Sequence, residues 1–251
     1  SPEGCPWDRE QTFASLRRYT LEEAYEVVDA VESGDPDRLC EELGDLMLQV
    51  LLNSQIAEEE GAFDIREVIA LHVEKLVRRH PHVFGDTTAA TSDEVLQNWE
   101  RIKQAEKPER QSALDGVPIA LPALTRALEV SKRAVKVGFE WPDLPDLFAT
   151  LEAEGAEFRA ELPDGYQPGQ VLPERVQVRL RQELGDLLFT LVNLARWIRV
   201  DPEEALREMV TRFSSRFREM EARAAAGNRT LAEMTMDERE ELWVAAKEAL
   251  G

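Results

Sequence analysis

The sequence predicts an all-α protein made of two tandem helical bundles. Apolar residues recur at helical spacing through several long stretches, and no segment carries the strict alternation of a half-buried strand. Glycine and proline interrupt those stretches at intervals that suit helices. A five-residue string, Glu42-Leu43-Gly44-Asp45-Leu46, recurs letter for letter as Glu183-Leu184-Gly185-Asp186-Leu187, each time ahead of a long apolar run.

In chain order, helices are expected at about residues 10–32, 37–60, 64–79, 92–106, 121–136, 144–161, 172–199, 202–226 and 236–249. The breaks fall at Gly34-Asp35-Pro36, Gly61, His80-Pro81, Asp115-Gly116-Val117-Pro118, Pro142 and Asp201-Pro202. Glycine frees the backbone there, or proline removes a helical N–H. The run Leu46–Leu52 is apolar almost all round and is expected to be buried.

The internal similarity extends beyond the five-residue string. Gly4-x-x-Trp7-Asp8 matches Gly138-x-x-Trp141-Pro142-Asp143, and Trp99 matches Trp243. Each of the latter two is followed four residues on by one of the chain's six lysines, Lys103 and Lys247. Glu22-Glu23-x-x-Glu26 corresponds to Glu154-x-x-Glu157, and the second copy is longer by a loop around Pro163–Pro173. This divides the chain into a repeat over residues 1–107, a linker over 108–122 and a second repeat over 123–251.

Composition narrows the function. The 251 residues are 43% hydrophobic and 32% charged, which suits a folded protein rather than a disordered one. Lys and Arg number 30 against 50 Asp and Glu, a net charge of −20 that repels phosphate backbones and anionic membranes. No nucleic-acid or membrane partner is expected. Cys5 and Cys40 are too few for a disulfide framework or a thiolate cage, no apolar run is long enough for a membrane span, and residues 1–10 do not read as a signal peptide. A cytoplasmic protein is expected.

The chemistry-bearing residues are acidic. Residues three apart share a helix face, so Glu23 with Glu26, and Glu42 with Asp45, would converge if their helices pack side by side. A single Glu-x-x-Glu pair in so acidic a chain is ordinarily a solvated face. Its repetition, with a helical glycine and an apolar run following, points instead to a cation site. Oxygen ligands favour a hard divalent ion such as Mg²⁺. Gly44 and Gly185 each cost about 1 kcal/mol relative to alanine in a helix interior, and a close helix contact would account for both. A ferritin-like di-iron site would need Glu-x-x-His, and none of His72, His80 or His82 has a glutamate three positions before it. His80-Pro81-His82 reads either as a metal pair or as a loop that ends a helix at proline.

Carboxylate-bound Mg²⁺ acts chiefly on phosphates, which need cationic partners. Lys75, Arg78 and Arg79 end one helix, where they would also steady its dipole; Arg212 and Arg216 hold the positions of Lys75 and Arg79 in the second copy. Trp99 with Lys103, and Trp243 with Lys247, set an indole one turn from an ammonium. That suits a base and a phosphate, or simple packing.

These residues carry a resemblance. Cys5-Pro6-Trp7-Asp8-x-x-Gln11-Thr12, Glu22-Glu23-x-Tyr25-Glu26, Glu42-Leu43-Gly44-Asp45, Arg78-Arg79-His80-Pro81-His82-Val83-Phe84 and Trp99-x-x-x-Lys103 together resemble the MazG family of nucleoside triphosphate pyrophosphohydrolases, in its two-copy form. The resemblance covers nearly the whole chain. It implies helical bundles assembled as a homodimer, and Mg²⁺-dependent hydrolysis of (deoxy)nucleoside triphosphates, with water attacking the α-phosphorus to leave monophosphate and pyrophosphate. Mn²⁺ is an alternative ion.

By the same resemblance, Glu23, Glu26, Glu42 and Asp45 hold metal in the first copy, and Glu154, Glu157, Glu183 and Asp186 in the second. Lys75, Arg78, Arg79 and Lys103 form the cationic side of the first site; Arg212, Arg216 and Lys247 form that of the second, with Trp99 or Trp243 near the nucleoside. Glu22 or Glu41 would orient or deprotonate the attacking water. The copies differ there: Glu22 corresponds to Ala153 and Glu41 to Gln182, and Gly155 enters the second motif helix. Both copies are expected to bind Mg²⁺-nucleotide, the first being better equipped for chemistry. No residue pattern reads a particular base, so a broad, pool-cleaning activity is expected. The alternatives are a nucleotide-sensing module in which one or both copies bind without turnover, and a structural helical assembly with a solvated acidic surface.

Overall fold

The computed structural model describes residues 4–106, 111–167 and 169–251, with only the backbone of Glu100, Gln104 and Ala105. The start of the expected linker, at residues 108–110, and Pro168 of the expected loop lie outside the described residues. Among the described residues every regular element is helical. They are α1 (Pro6–Arg9), α2 (Phe13–Ser33), α3 (Pro36–Glu59), α4 (Ile65–Arg79), α5 (Pro81–Phe84), α6 (Ser92–Ala105), α7 (Ala123–Lys136), α8 (Leu144–Ala160), α9 (Glu174–Trp197), α10 (Pro202–Ala226) and α11 (Met236–Leu250), with a 3₁₀ turn at Leu231–Glu233. None is long and apolar enough to cross a membrane.

The chain divides into two compact units, Ser1–Pro108 and Glu109–Gly251. In the first, α2 packs along α3, and α4 joins α3 to α5 and α6. In the second, α8 packs along α9, α7 lies against α9 and α10, and α11 covers α10.

Local chemistry sets the helix ends. Thr12 caps α2 in a reciprocal box with Ser15: the Ser15 amide donates to Thr12 Oγ1 at 3.2 Å, and the Thr12 amide to Ser15 Oγ at 2.9 Å. Gly34, at φ 68°, ends the helix in a left-handed turn that glycine adopts without strain. Asp35 then accepts from the Asp37 and Arg38 amides, with Pro36 at the start of α3. The same device, an aspartate before a proline, opens α10 at Asp201-Pro202. The turn between α2 and α3 is so short that the two helices must lie side by side, which brings their acidic faces together.

The buried core is small. It holds Leu16, Ala30 and Ala57 in the first unit, and Leu128, Leu147, Val192, Met220, Ala224 and Ala246 in the second. The expected burial of Leu46–Leu52 does not hold within the unit. Only Gln49 is buried there, at 4% exposure, while Met47 is 62% and Leu48 47% exposed. A two-layer packing of α2 on α3 covers one side of α3 and leaves the rest of its apolar surface open.

The close helix contact expected at Gly44 and Gly185 is also absent: a Cβ at either position would meet nothing within 4 Å. Gly44→Ala and Gly185→Ala should therefore each stabilise the fold by about 0.5–1 kcal/mol in urea melts, because alanine loses less backbone entropy in a helix. A loss of stability instead would mean that another surface packs against these glycines.

Candidate functional site

The pairing of α2 with α3 gathers carboxylates from both helices. One oxygen each of Glu23, Glu26 and Glu42 lies within 4.8 Å of the others, with Glu23 and Glu42 half-buried and Glu26 exposed. Of the four carboxylates expected here, Asp45 stays outside this trio but adds its charge to the field at Glu23. In the second unit, α8 supplies Glu154 and α9 supplies Glu183 and Asp186, again within 4.8 Å of one another. There the outlying member is Glu157, which repels Glu154 from the same helix.

The clustering disfavours full ionisation. Burial first, then hydrogen bonding and repulsion from Glu26, and repulsion from Asp45 and Glu22, raise the Glu23 carboxyl above its ordinary value. Burial, followed by repulsion from Asp186, Glu157 and Glu183, raises Glu154. Little inside the first unit offsets this charge. Arg38 Nε stands 3.6 Å from Glu42, and Gln49 Nε2 donates a long 3.5 Å hydrogen bond to Glu23. An all-oxygen trio of this spread, with its negative charge only partly offset, fits a hard divalent cation, whose oxygen ligands stand about 2.0–2.6 Å from the ion.

The cationic residues form a second group. Arg78 Nε donates to Glu106 at 2.7 Å, and Arg79 reaches the same carboxylate at 2.5 Å; together they hold it down at about 2. Arg79 also lies over the Trp99 ring, 5.8 Å from its centroid. In the second unit, Arg216 and Lys247 flank Trp243 at 5.9 and 6.0 Å, and Phe213 packs on the indole at 5.4 Å. Arg216 also donates to the Gly251 carbonyl at 2.8 Å, and Arg212 pairs loosely with Glu208 at 3.4 Å.

The structure thus joins Arg79 to Trp99, and Arg216 and Lys247 to Trp243. Among the described residues, no ion pair links Lys75, Arg78, Arg79 or Lys103 to the first acidic trio. Glu22 and Glu41 lie on exposed positions of α2 and α3 beside the trio's members. His80 Nδ1 bonds the Leu76 carbonyl oxygen at 2.7 Å, and His80 and His82 belong to no group of three ligating side chains among the described residues. His80 caps the C-terminal end of α4, whereas His82 lies in α5 with its Nδ1 buried and without a hydrogen-bond partner.

Two features were not anticipated from sequence. Gln49, a lone amide within an apolar run, touches Glu23; its polarity in that run was the available signal. In the second unit, Glu140 accepts from Arg196 at 2.6 Å, Trp197 Nε1 at 3.0 Å and the Trp141 amide at 3.0 Å. Arg196 continues to buried Ser131 at 2.8 Å, and Ser131 Oγ to buried Asn193 at 2.5 Å. This network ties α7 to α9 and to the Trp141 turn. Its members lie far apart in sequence, so no local pattern signals it.

The fold and sites define a class: an all-helical protein in which paired helices gather acidic trios sized for a divalent cation. The model of the MazG nucleotide pyrophosphohydrolase domain matches residues 11–84, spanning α2 to α5 and the first trio. The nucleoside triphosphate pyrophosphohydrolase of Escherichia coli K12 is 44% identical over 97% of this chain and 90% of its own length. The nucleoside triphosphate pyrophosphohydrolase/pyrophosphatase MazG of Thermotoga maritima is 41% identical over 98% and 91%. The uncharacterized protein YabN of Bacillus subtilis is 44% identical over 98% of this chain but 49% of its own length. The chain belongs to the MazG nucleotide pyrophosphohydrolase family.

A carboxyl raised in the folded state binds its proton more tightly there than in the unfolded chain. Its contribution to stability is present at low pH and is lost as pH rises through the folded value. Without divalent ions, Glu23→Gln should raise the melting temperature at pH 7 by up to roughly 2 °C, and the gain should vanish below the carboxylate range. Added Mg²⁺ should stabilise the parent protein more than the variant. Melting curves at pH 7 and pH 3.5 check this; no difference at either pH would remove the repulsion.

Proposed function

We propose that the chain hydrolyses (deoxy)nucleoside triphosphates to monophosphate and pyrophosphate with Mg²⁺, over a broad range of bases, and so clears unwanted nucleotides from the pool. The observation that carries this reading is the acidic trio on α2 and α3, matched by another on α8 and α9, in a member of a pyrophosphohydrolase family. The names of the Escherichia coli and Thermotoga maritima relatives support the substrate class.

Glu23, Glu26 and Glu42, with Asp45 beside them, would hold Mg²⁺ in the first unit; Glu154, Glu183 and Asp186, with Glu157, would hold it in the second. Bound there, Mg²⁺ supplies charge neutralisation at the phosphate oxygens and acidifies a water. Lys75, Arg78, Arg79 and Lys103 neutralise the polyphosphate in the first unit, and Arg212, Arg216 and Lys247 in the second. Trp99 and Trp243 flank the nucleotide. Glu22 or Glu41 takes the proton of the water whose oxygen bonds to the α-phosphorus as the bond to the bridging oxygen breaks, leaving pyrophosphate. The second unit has Ala153 and Gln182 at those two positions, which favours nucleotide binding over turnover there.

We read the units as copies of one helical repeat, and the working protein as a homodimer in the cytoplasm. The exposed apolar residues of α3 and α4, among them Met47, Leu51, Ile69, Leu71 and Val73, support the dimer, because so much uncovered apolar surface is costly in water. The cationic residues left without ion pairs to the first trio suit a site completed by a second chain. Free, exposed Cys5 and Cys40 accord with a reducing compartment. In sedimentation at micromolar concentration the parent chain should run as a dimer, and Met47→Glu with Leu51→Glu should shift it to monomer. A monomeric parent would sink the dimer.

Product analysis is the direct test of activity. Mixed triphosphates incubated with Mg²⁺ should yield monophosphate and pyrophosphate. Glu42→Gln should lower turnover by roughly a hundredfold or more, and Glu183→Gln by far less. Tight nucleotide binding without pyrophosphate release would favour a sensing module instead. Full turnover in both Glu22→Gln and Glu41→Gln would remove those residues as bases.

A further inference from the structure

Beside the first acidic trio lies a cavity of about 300 Å³ between α2, α3 and α4, lined by Thr20, Leu46, Gln49, Asn53, Phe63 and Val68 among others. No lining residue is charged, although about a third of the chain is. Thr20 donates its hydroxyl to the Leu16 carbonyl at 3.2 Å, and Asn53 donates its amide N–H to the Gln49 carbonyl at 2.7 Å. Gln49 is different. Its Nε2 turns to Glu23, and its Oε1, sealed from solvent, has no hydrogen-bond donor. A buried acceptor without a donor is costly and rare. One side chain that helps to line a neutral cavity thus touches the acidic trio with one end and carries a buried, unmet acceptor at the other.

We propose that this cavity takes the base of the nucleotide substrate and that Gln49 Oε1 accepts a hydrogen bond from an N–H on the base edge, making Gln49 a specificity-determining residue of the first unit. The inference rests on the nucleotide reading given above. Neutral, mostly apolar walls exclude the phosphates, which belong with the cations, and suit a flat heterocycle, whose ring fits well within the available volume. The terminal torsion of glutamine is broad, so a small turn of the amide presents Oε1 to a ligand entering the cavity. An N–H edge is shared by many bases, so such a contact selects nucleoside triphosphates from bare polyphosphate without demanding one base.

The test uses the full chain carrying Glu183→Gln, to silence the second trio, with Mg²⁺ and calorimetric titration. The probes are a non-hydrolysable α,β-methylene uridine triphosphate, the same compound methylated at ring N3, and inorganic tripolyphosphate. Val68→Phe, which fills the cavity from α4, should weaken the uridine probe tenfold or more and tripolyphosphate less than twofold. Gln49→Met should weaken the uridine probe roughly tenfold. N3-methylation should cost the parent a similar factor and the Gln49→Met protein almost nothing.

Equal losses for nucleotide and tripolyphosphate, or a methylation penalty that persists in Gln49→Met, would overturn the assignment. So would a Val68→Phe protein that changes oligomeric state yet binds the uridine probe normally, because a second chain would then occupy the cavity. A chain without either substitution that binds none of the three probes and releases no pyrophosphate would instead defeat the underlying nucleotide reading.

Discussion

The constraint on which the rest of the structure depends is repulsion between carboxylates that helix packing forces together. The turn at Gly34-Asp35 lays α3 along α2, and the three-residue spacing on α2 then brings Glu23 and Glu26 to the side where Glu42 of α3 meets them. Folding gains nothing from that meeting by itself: Glu23 is driven toward its protonated form by burial and by its neighbours. What the arrangement achieves is a fixed, negatively charged focus, which costs little to keep because the trio is only partly buried. Solvent screens most of the repulsion.

The helices were legible in the sequence because their boundary devices are local. Asp35-Pro36, Asp201-Pro202 and Gly34 act within a few residues of themselves, and the observed ends fall within a few residues of those expected. The short helices α1 and α5 were not expected, since four residues carry no periodicity to read. The acidic residues were legible through spacing and repetition. Which three of each four would meet was not, because that depends on helix rotation: Asp45 falls outside one trio and Glu157 outside the other. The burial of Leu46–Leu52 was misjudged because hydrophobicity predicts that a surface will be covered, not which surface covers it. Gly44 and Gly185 mislead because a helical glycine does not by itself mark a close approach, and a Cβ at either would meet nothing within 4 Å.

The two units meet the same demand by different means. In the first, Gln49 supports Glu23 across the α2–α3 contact. The second has Thr190 among its buried polar residues and places its connected polar network elsewhere, at the junction of α7 and α9. There, each partner of Arg196 is itself held: Ser131 by Asn193, and Glu140 by Trp197 and the Trp141 amide. A buried network satisfied at both ends fixes geometry, whereas a lone amide with one long hydrogen bond leaves room to move. The α7–α9 junction of the second unit is therefore fixed by a satisfied network, whereas the Gln49–Glu23 contact of the first rests on one long hydrogen bond.

The cations of the first unit add a further condition. Arg78 and Arg79 share Glu106, so a polyphosphate that uses them must take them from a carboxylate held at about 2. Arg78 is the more exposed of the two, and the Arg79 and Glu106 side chains are largely covered, so the anion must bring more charge than the single carboxylate it replaces. On the function proposed above, the same competition would select ligands by charge. On that reading, a monophosphate would bring too little charge and reach to engage both a cation at the acidic trio and the arginines beside Glu106, whereas a triphosphate would span several charged oxygens. Discrimination by chain length would, on the same proposed function, follow from separate positive and negative halves, the arginines paired with Glu106 and the acidic trio still repelling itself, until a ligand long and anionic enough joins them.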